Sequence, residues 1–593
     1  MPYRAPIDEI QFALFHEAGF ARLIESGKYP DLTEELAQAI TTEAAKLATN
    51  VVAPIYKQAD EEGVEFDAGG VKVSAAIKSA YEEYQKAGWT ALIAPPKYGG
   101  QGLPLSLSNA VAEMMNANAA FYLCPMLSAS GVEALLAHAT DEQQQKYLPQ
   151  IVSGVWSATM LLTESQAGSD VGNIRTKAIP QGDGSYKLSG TKIYITYGDH
   201  DMCDNIIHFV LARTPDAPEG TKGISLFLVP KILVNDDGSL GARNDIHCIG
   251  LEKKMGIHAS PTCVMAMGEN EGAIGWLVGG EFQGMACMFT MMNNARLAVG
   301  VQGVGLAEAA TQHAFDYANT RKQGRAPDAE KSDNAAVEII NHPDVRRMLM
   351  TMRCLTDAAR AICYDNAVHA DIANSTGDEE AKLRSDLLTP ISKAFSTDSA
   401  NEVASLGVQV HGGMGFIEEA GAAQYMRDAR ILPIYEGTNG IQAMDLVMRK
   451  ISLAGGAALK NYIGEMRETA ELCRQSNHQI LGEIALSLSD ALDALDDATD
   501  WLHTTLKEKA QDALAGASAY LRLIGLASGG HYLARGALAT QQEKDFSPEF
   551  CKRKLASAHF FAQHLLCQCK GLTQSVKAGG AVLDDIGLEA FTN

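Results

Sequence analysis

A carboxylate set between an aromatic ring and a glycine can serve as a base toward a carbon acid, and Tyr435-Glu436-Gly437-Thr438-Asn439-Gly440-Ile441-Gln442 offers that arrangement. Beside Tyr435 the Glu436 carboxylate can be partly desolvated, which raises its affinity for a proton, while Gly437 lets a substrate approach the backbone. Most Glu-Gly pairs are solvated turns, so Glu436 gains weight only from its company. Upstream stand Gln409-Val410-His411-Gly412-Gly413-Met414-Gly415-Phe416 and Arg427-Asp428-Ala429-Arg430. Far earlier come Leu162-Thr163-Glu164-Ser165-Gln166-Ala167-Gly168-Ser169-Asp170 and Lys192-Ile193-Tyr194-Ile195-Thr196. The paired Gly412 and Gly413 would let backbone N–H groups approach phosphate oxygens. None of the fifteen histidines has the His-x-x-x-His or Cys-His spacing of a metal site, so no metal is expected.

Four segments must position these groups. Residues 1–155 read as helical, with 36–52 and 75–87 alternating apolar and polar positions at helical spacing before Pro95-Pro96 and Gly99-Gly100 interrupt. Residues 156–280 shift to short β-like runs at 186–196, 205–213 and 223–229, separated by turns rich in Gly, Asp and Pro. Helical periodicity returns over 281–454, where Gly300, Gly303 and Gly305 lie in an apolar run and would permit close helix packing. No strand precedes them, so they are not a dinucleotide fingerprint. A second helical block, 455–593, carries Leu488, Leu492, Leu495, Leu502 and Leu506 as a buried stripe and reads as a structural domain that covers surface. Its Ala-rich part near 513–540, broken by Arg522, His531 and Arg535, reads as a packed helix pair, and no uninterrupted apolar span reaches membrane length.

At 593 residues and 46% hydrophobic content the chain can bury several domain-sized cores. A formal net charge of −23 argues against nucleic acid as the main partner, because phosphate binding over a broad face needs clustered Lys and Arg. Eleven cysteines without a Cys-x-x-Cys suit a reducing compartment, and the first residues lack a basic region followed by an apolar run. A cytoplasmic location is expected.

In one order from about residue 40 to about residue 450, these motifs resemble the acyl-CoA dehydrogenase family. The helical tail and the opening Met1-Pro2-Tyr3-Arg4-Ala5-Pro6 are most similar to a long bacterial subgroup of it. The resemblance implies a mostly α fold: a helical domain, a central β-barrel-like domain and a four-helix domain, here with an extra C-terminal helical domain. It implies FAD as cofactor, an acyl-CoA thioester as substrate, electron-transfer flavoprotein as acceptor, a homodimer, and no membrane or nucleic-acid partner. Glu436 matches the family base. Thr163, Ser169, Tyr194, Thr196, Arg321, Gln409, Gly412, Gly413 and Thr438 match FAD contacts, Gln409 and the two glycines reaching the cofactor from a second subunit. Ser169, Arg296, Tyr435, Gly437, Tyr122 and Met126 match substrate contacts, with Cys124 in the same stretch. Three positions depart from the pattern: Tyr194 replaces the usual Trp, Gly324 an aromatic residue, and Gly440 a polar one. The subgroup resemblance favours 3-(methylthio)propanoyl-CoA as substrate, with a short- or medium-chain acyl-CoA as runner-up. An acyl-CoA oxidase would share fold and base, and a DNA-binding relative would need the basic surface that this charge disfavours.

Overall fold

Strands concentrate between Trp156 and Val278, where β-branched and aromatic residues crowd between turns. The structure, a computed structural model, describes residues 3–326, 335–542, 545–584, 587 and 590. Met1 and Pro2 of the opening motif lie outside the described residues. Two compact units form: one comprises Met1–Ala45, Leu105–Met114 and Val299–Asn593, the other Lys46–Pro104 and Met115–Ala298.

The second unit is built on an eight-stranded sheet. In spatial order its strands are Ile246–Leu251, Thr262–Met267, Ser185–Thr196, Ala273–Val278, Ser225–Pro230, Asn205–Ala212 and Trp156–Leu161, with Lys177–Pro180 paired beside Ser185–Thr196. Pairing is antiparallel except between Trp156–Leu161 and Asn205–Ala212. The latter strand, Asn-Ile-Ile-His-Phe-Val-Leu-Ala, is buried at every position, as a strand covered on both faces must be. Leu161, Leu188, Val210, Phe227, Val229, Ile246 and Met265 share its core. Sequence periodicity finds three of these strands and misses the others, which are only four to six residues long. The expectation of a purely helical 1–155 also needs correction, because Val64–Asp67 and Gly70–Val73 pair as a hairpin. Four exposed or half-exposed positions on its first strand leave no periodic signature to read.

In the first unit, Pro343–Thr376 and Glu379–His411 are helices of 34 and 33 residues. Pro343 opens one at a position where a missing N–H costs nothing, and Gly377, at φ +77°, closes it. Asp378 then caps the next helix by accepting from the Glu380 and Ala381 N–H groups. Close helix approach holds at Gly300 and Gly303. A Cβ on Gly300 would lie 2.7 Å from the Ser392 carbonyl oxygen and one on Gly303 3.0 Å from that of Ser396.

The tail adds helices Ala457–Gln475, Gln479–Glu508, Ala510–Ala515, Ala517–Ala539, Pro548–His564 and Cys569–Lys577. Leu488, Leu492, Leu495 and Leu502 are buried along Gln479–Glu508, whereas Leu506 is only half-buried. Ion pairs fasten this block within the unit: Arg384 to Glu465, and Arg522 to Glu402 at 2.9 Å. A deeper charged cluster joins both ends of the chain. Arg360 donates to Glu113 (2.9 Å), Asp357 (2.8 Å) and Glu308 (2.8 Å), and Lys554 of the tail reaches Glu17 at 3.0 Å and Glu9 at 3.3 Å. One sequence expectation fails here. Leu105–His138 contains a window long and apolar enough to cross a membrane, although 83% of it is buried inside the protein and a 3-10 turn at Asn116–Asn118 interrupts it.

Candidate active site

Glu436 is half-buried and takes φ +57°, with Gly437 following at φ +86°. A left-handed backbone costs a non-glycine residue about 1–2 kcal/mol, so the surrounding contacts must hold Glu436 there. They come from both shoulders of the turn. On one side the Tyr435 hydroxyl donates to Gln302 Oε1. Burial, with the Glu436 charge beside it, pushes the Tyr435 phenol well above its ordinary range, so that hydroxyl keeps its proton.

On the other side the Asn439 N–H donates to the Pro433 carbonyl at 2.9 Å, closing the turn. The Asn439 amide is then held by the Glu379–His411 helix. Its Nδ2 donates to Asp398 at 2.7 Å and Thr397 at 2.9 Å, and its Oδ1 accepts from Lys393 Nζ at 2.8 Å. Thr438 caps the helix Asn439–Asp445 by accepting from the Ile441 N–H, which leaves its hydroxyl proton to donate elsewhere.

The same unit carries Arg321, Gln409, Gly412 and Gly413, all exposed. His411 ends its helix stacked on Tyr317 at 4.3 Å, and the Arg321 N–H donates to the Tyr317 carbonyl at 2.8 Å. That stack brings the helix end bearing Arg321 beside the glycine turn. Gly412 takes φ +59°, and a Cβ on either glycine would meet nothing within 4 Å. The backbone there is open to a phosphate, and a guanidinium stands by to pair with it, which fits a pyrophosphate-bearing cofactor.

In the sheet unit, Thr163, Tyr194 and Thr196 are drawn together by one irregularity. The strand Ser185–Thr196 bulges against Thr262–Met267, with Ile195 opposite Cys263 but Lys192 opposite Met265. Tyr194, at φ +60°, is turned outward and 61% exposed. The Ile193 N–H donates to the Thr163 carbonyl at 2.9 Å, and the Thr159 hydroxyl donates to the Thr196 carbonyl at 2.7 Å. An exposed aromatic side chain beside a strand bulge fits a planar ring system. Ser169 is exposed in the following loop, whereas Tyr122 and Met126 are buried along Ala119–His138 and Arg296 is buried near a Phe289 ring.

Sequence reasoning quoted Glu164 and Lys192 but gave them no task. The buried Glu164 carboxylate accepts from Lys192 Nζ (2.9 Å), the Thr176 hydroxyl (2.6 Å), and the Arg175 (2.7 Å) and Thr176 (3.0 Å) N–H groups, pinning the loop that carries Thr163 and Ser169. Burial alone would push this carboxyl up; the Lys192 ammonium and the other donors bring it down to about 2 from an ordinary 4.5. Its folded value is depressed, so the stabilisation is complete above about pH 4.5 and drains away as pH falls toward 2. Melting temperatures measured from about pH 6 to about pH 3 should therefore fall more steeply for wild type than for Glu164→Gln. Parallel curves would remove Glu164 from the account. Gln302 and Asn439 were also missed. Gln302 left a signal, as the one polar side chain in the run Val299–Leu306.

Family models match almost the whole chain: acyl-CoA dehydrogenase N-terminal domain over residues 34–155, middle domain over 159–268, C-terminal domain over 283–451, and an acetyl-CoA dehydrogenase C-terminal-like domain over 462–586. The 3-methylmercaptopropionyl-CoA dehydrogenase of Ruegeria pomeroyi is 44% identical over 96% of this chain and 97% of its own length. A butyryl-CoA dehydrogenase of Syntrophomonas wolfei is 34% identical over 92% of each. An acyl-CoA dehydrogenase of Bacillus anthracis, solved with FAD, shares the fold with a TM-score of 0.61 at 22% identity, covering 94% of this chain and 96% of that one.

Proposed function

The chain belongs to the acyl-CoA dehydrogenase family, and from that premise we propose that it oxidises 3-(methylthio)propanoyl-CoA to 3-(methylthio)acryloyl-CoA with FAD as its cofactor. One observation carries the choice of substrate: 44% identity, end to end, with a relative named for the same thioester. Bound FAD supplies the two-electron acceptor for the hydride that leaves the β carbon. Glu436 removes the α proton, and its backbone N–H donates to the thioester oxygen as charge develops there. Thr163, Ser169, Tyr194 and Thr196 would hold and cover the flavin ring, and Arg321 would pair with the pyrophosphate. Gln409, Gly412, Gly413 and Thr438 supply further cofactor contacts. Arg296, Tyr122 and Met126 are the substrate-binding candidates of the sheet unit, where a polarizable lining suits a thioether, and Tyr435 and Gly437 are those of the unit that carries Glu436.

Electrons pass on to electron-transfer flavoprotein, and the enzyme works as a homodimer in the cytoplasm. The dimer is supported by exposed Met414, Phe416 and Ile417 beside the glycine turn, Phe416 being 88% exposed. The cytoplasmic placement is supported by the lack, among the described residues, of any disulfide joining the cysteines.

Comparing kcat/KM over straight acyl-CoA thioesters of increasing length and the thioether substrate tests the assignment. The thioether should lead its equal-length straight-chain analogue, by about 10-fold if the pocket discriminates as one methylene allows. A clear preference for long chains would overturn it. Hydrogen peroxide formed in air at the rate of turnover would identify an oxidase instead.

A further inference from the structure

We infer that Gln302 is a positioning residue for the reaction: by accepting the Tyr435 hydroxyl proton it keeps the adjoining Glu436 in its left-handed conformation and aimed at substrate. The inference rests on the reading of Glu436 as base. Gln302 is fully buried, the one polar side chain in an otherwise apolar run from Val299 to Leu306. A buried amide is costly unless its hydrogen bonds are made, and Gln302 makes one of them to the residue preceding Glu436. Its Nε2 has no hydrogen-bond partner among the described residues. An apolar side chain of the same shape would be the cheaper occupant on packing grounds, so the amide oxygen is the feature that distinguishes this residue.

The surrounding architecture makes the contact rigid. Gly300 and Gly303 flank Gln302 and press their helix directly on the backbone at Ser392 and Ser396. The same stretch of the facing helix supplies Lys393, Thr397 and Asp398 to Asn439. Residues 435 and 439 are therefore tied to two helices that are themselves locked together, and Glu436 lies between the ties. A side chain held at φ +57° without such anchorage would relax toward ordinary backbone conformations.

Gln302→Leu removes the acceptor and keeps much of the bulk; Tyr435→Phe removes the donor and leaves the helix untouched. Each should lower kcat by about tenfold, the scale of one hydrogen bond that holds reacting geometry, with KM within about twofold and flavin content unchanged. Combining them should cost no more than either alone, because both break one link. Turnover at the wild-type level in Tyr435→Phe, additive losses in the double variant, or a loss carried by KM with kcat unmoved would overturn the inference. Glu436→Gln is run alongside. If it retains full turnover, the assignment of the base fails; if it is inactive while Gln302→Leu and Tyr435→Phe are normal, only the positioning role fails.

Discussion

Replacing Glu436 with Gln should lower kcat by about 100-fold to 10,000-fold, the usual weight of a positioned general base, while the protein stays yellow and binds acyl-CoA with little change. The isosteric amide preserves shape and removes only the proton acceptor. Glu436 sits in a left-handed turn anchored through Tyr435 and Asn439, and the substitution leaves both anchors in place. Steady-state kinetics on the purified variant, with flavin content measured on the same sample, make the comparison. A kcat within about threefold of wild type would show that the α proton leaves by another route.

The second large effect concerns stability. Arg360 is 1% exposed and donates to three carboxylates, Glu113, Glu308 and Asp357, each exposed by 1% or less. Arg360→Met should destabilise the first unit by about 3–5 kcal/mol, because removing one partner of a buried ionic group strands the rest. Burial already pushes Glu113 up in the intact protein, with Arg360 and the Tyr364 hydroxyl opposing that rise. In the variant it should be the first of the three to take a proton. The deficit in melting temperature should consequently narrow as pH is lowered from about 8 to about 5.5. Arg353→Met serves as a milder comparison, since Arg360 still holds the Glu308 and Asp357 carboxylates that Arg353 pairs with. Equal melting temperatures for Arg360→Met and wild type would mean that the cluster is not a stabilising element.

The sequence makes the chemistry more legible than the support for it. Glu436 stands out because a carboxylate between an aromatic ring and a glycine has few neutral explanations once His411-Gly412-Gly413 and Thr163 to Asp170 lie upstream in order. Long helices are equally readable, since a stripe such as Leu488 to Leu502 repeats often enough to stand above chance. Three things are not. The hairpin at Val64–Val73 is too short and too exposed to leave a period. A bulge depends on the register of two strands, so the outward turn of Tyr194 becomes visible only once Thr262–Met267 is laid beside it. Partners distant in sequence, such as Glu9 with Lys554 or Gln302 with Tyr435, follow from tertiary packing that no local window contains.

Anaerobic titration of the purified flavoprotein with acyl-CoA tests the central claim most directly, with absorbance and product read from the same cuvette. Wild type should bleach as one equivalent of trans-2-enoyl-CoA forms per flavin, and Glu436→Gln should bind the thioester yet remain oxidised on the same timescale. Bleaching of Glu436→Gln at the wild-type rate, or a wild-type flavin left oxidised by saturating acyl-CoA, would contradict it.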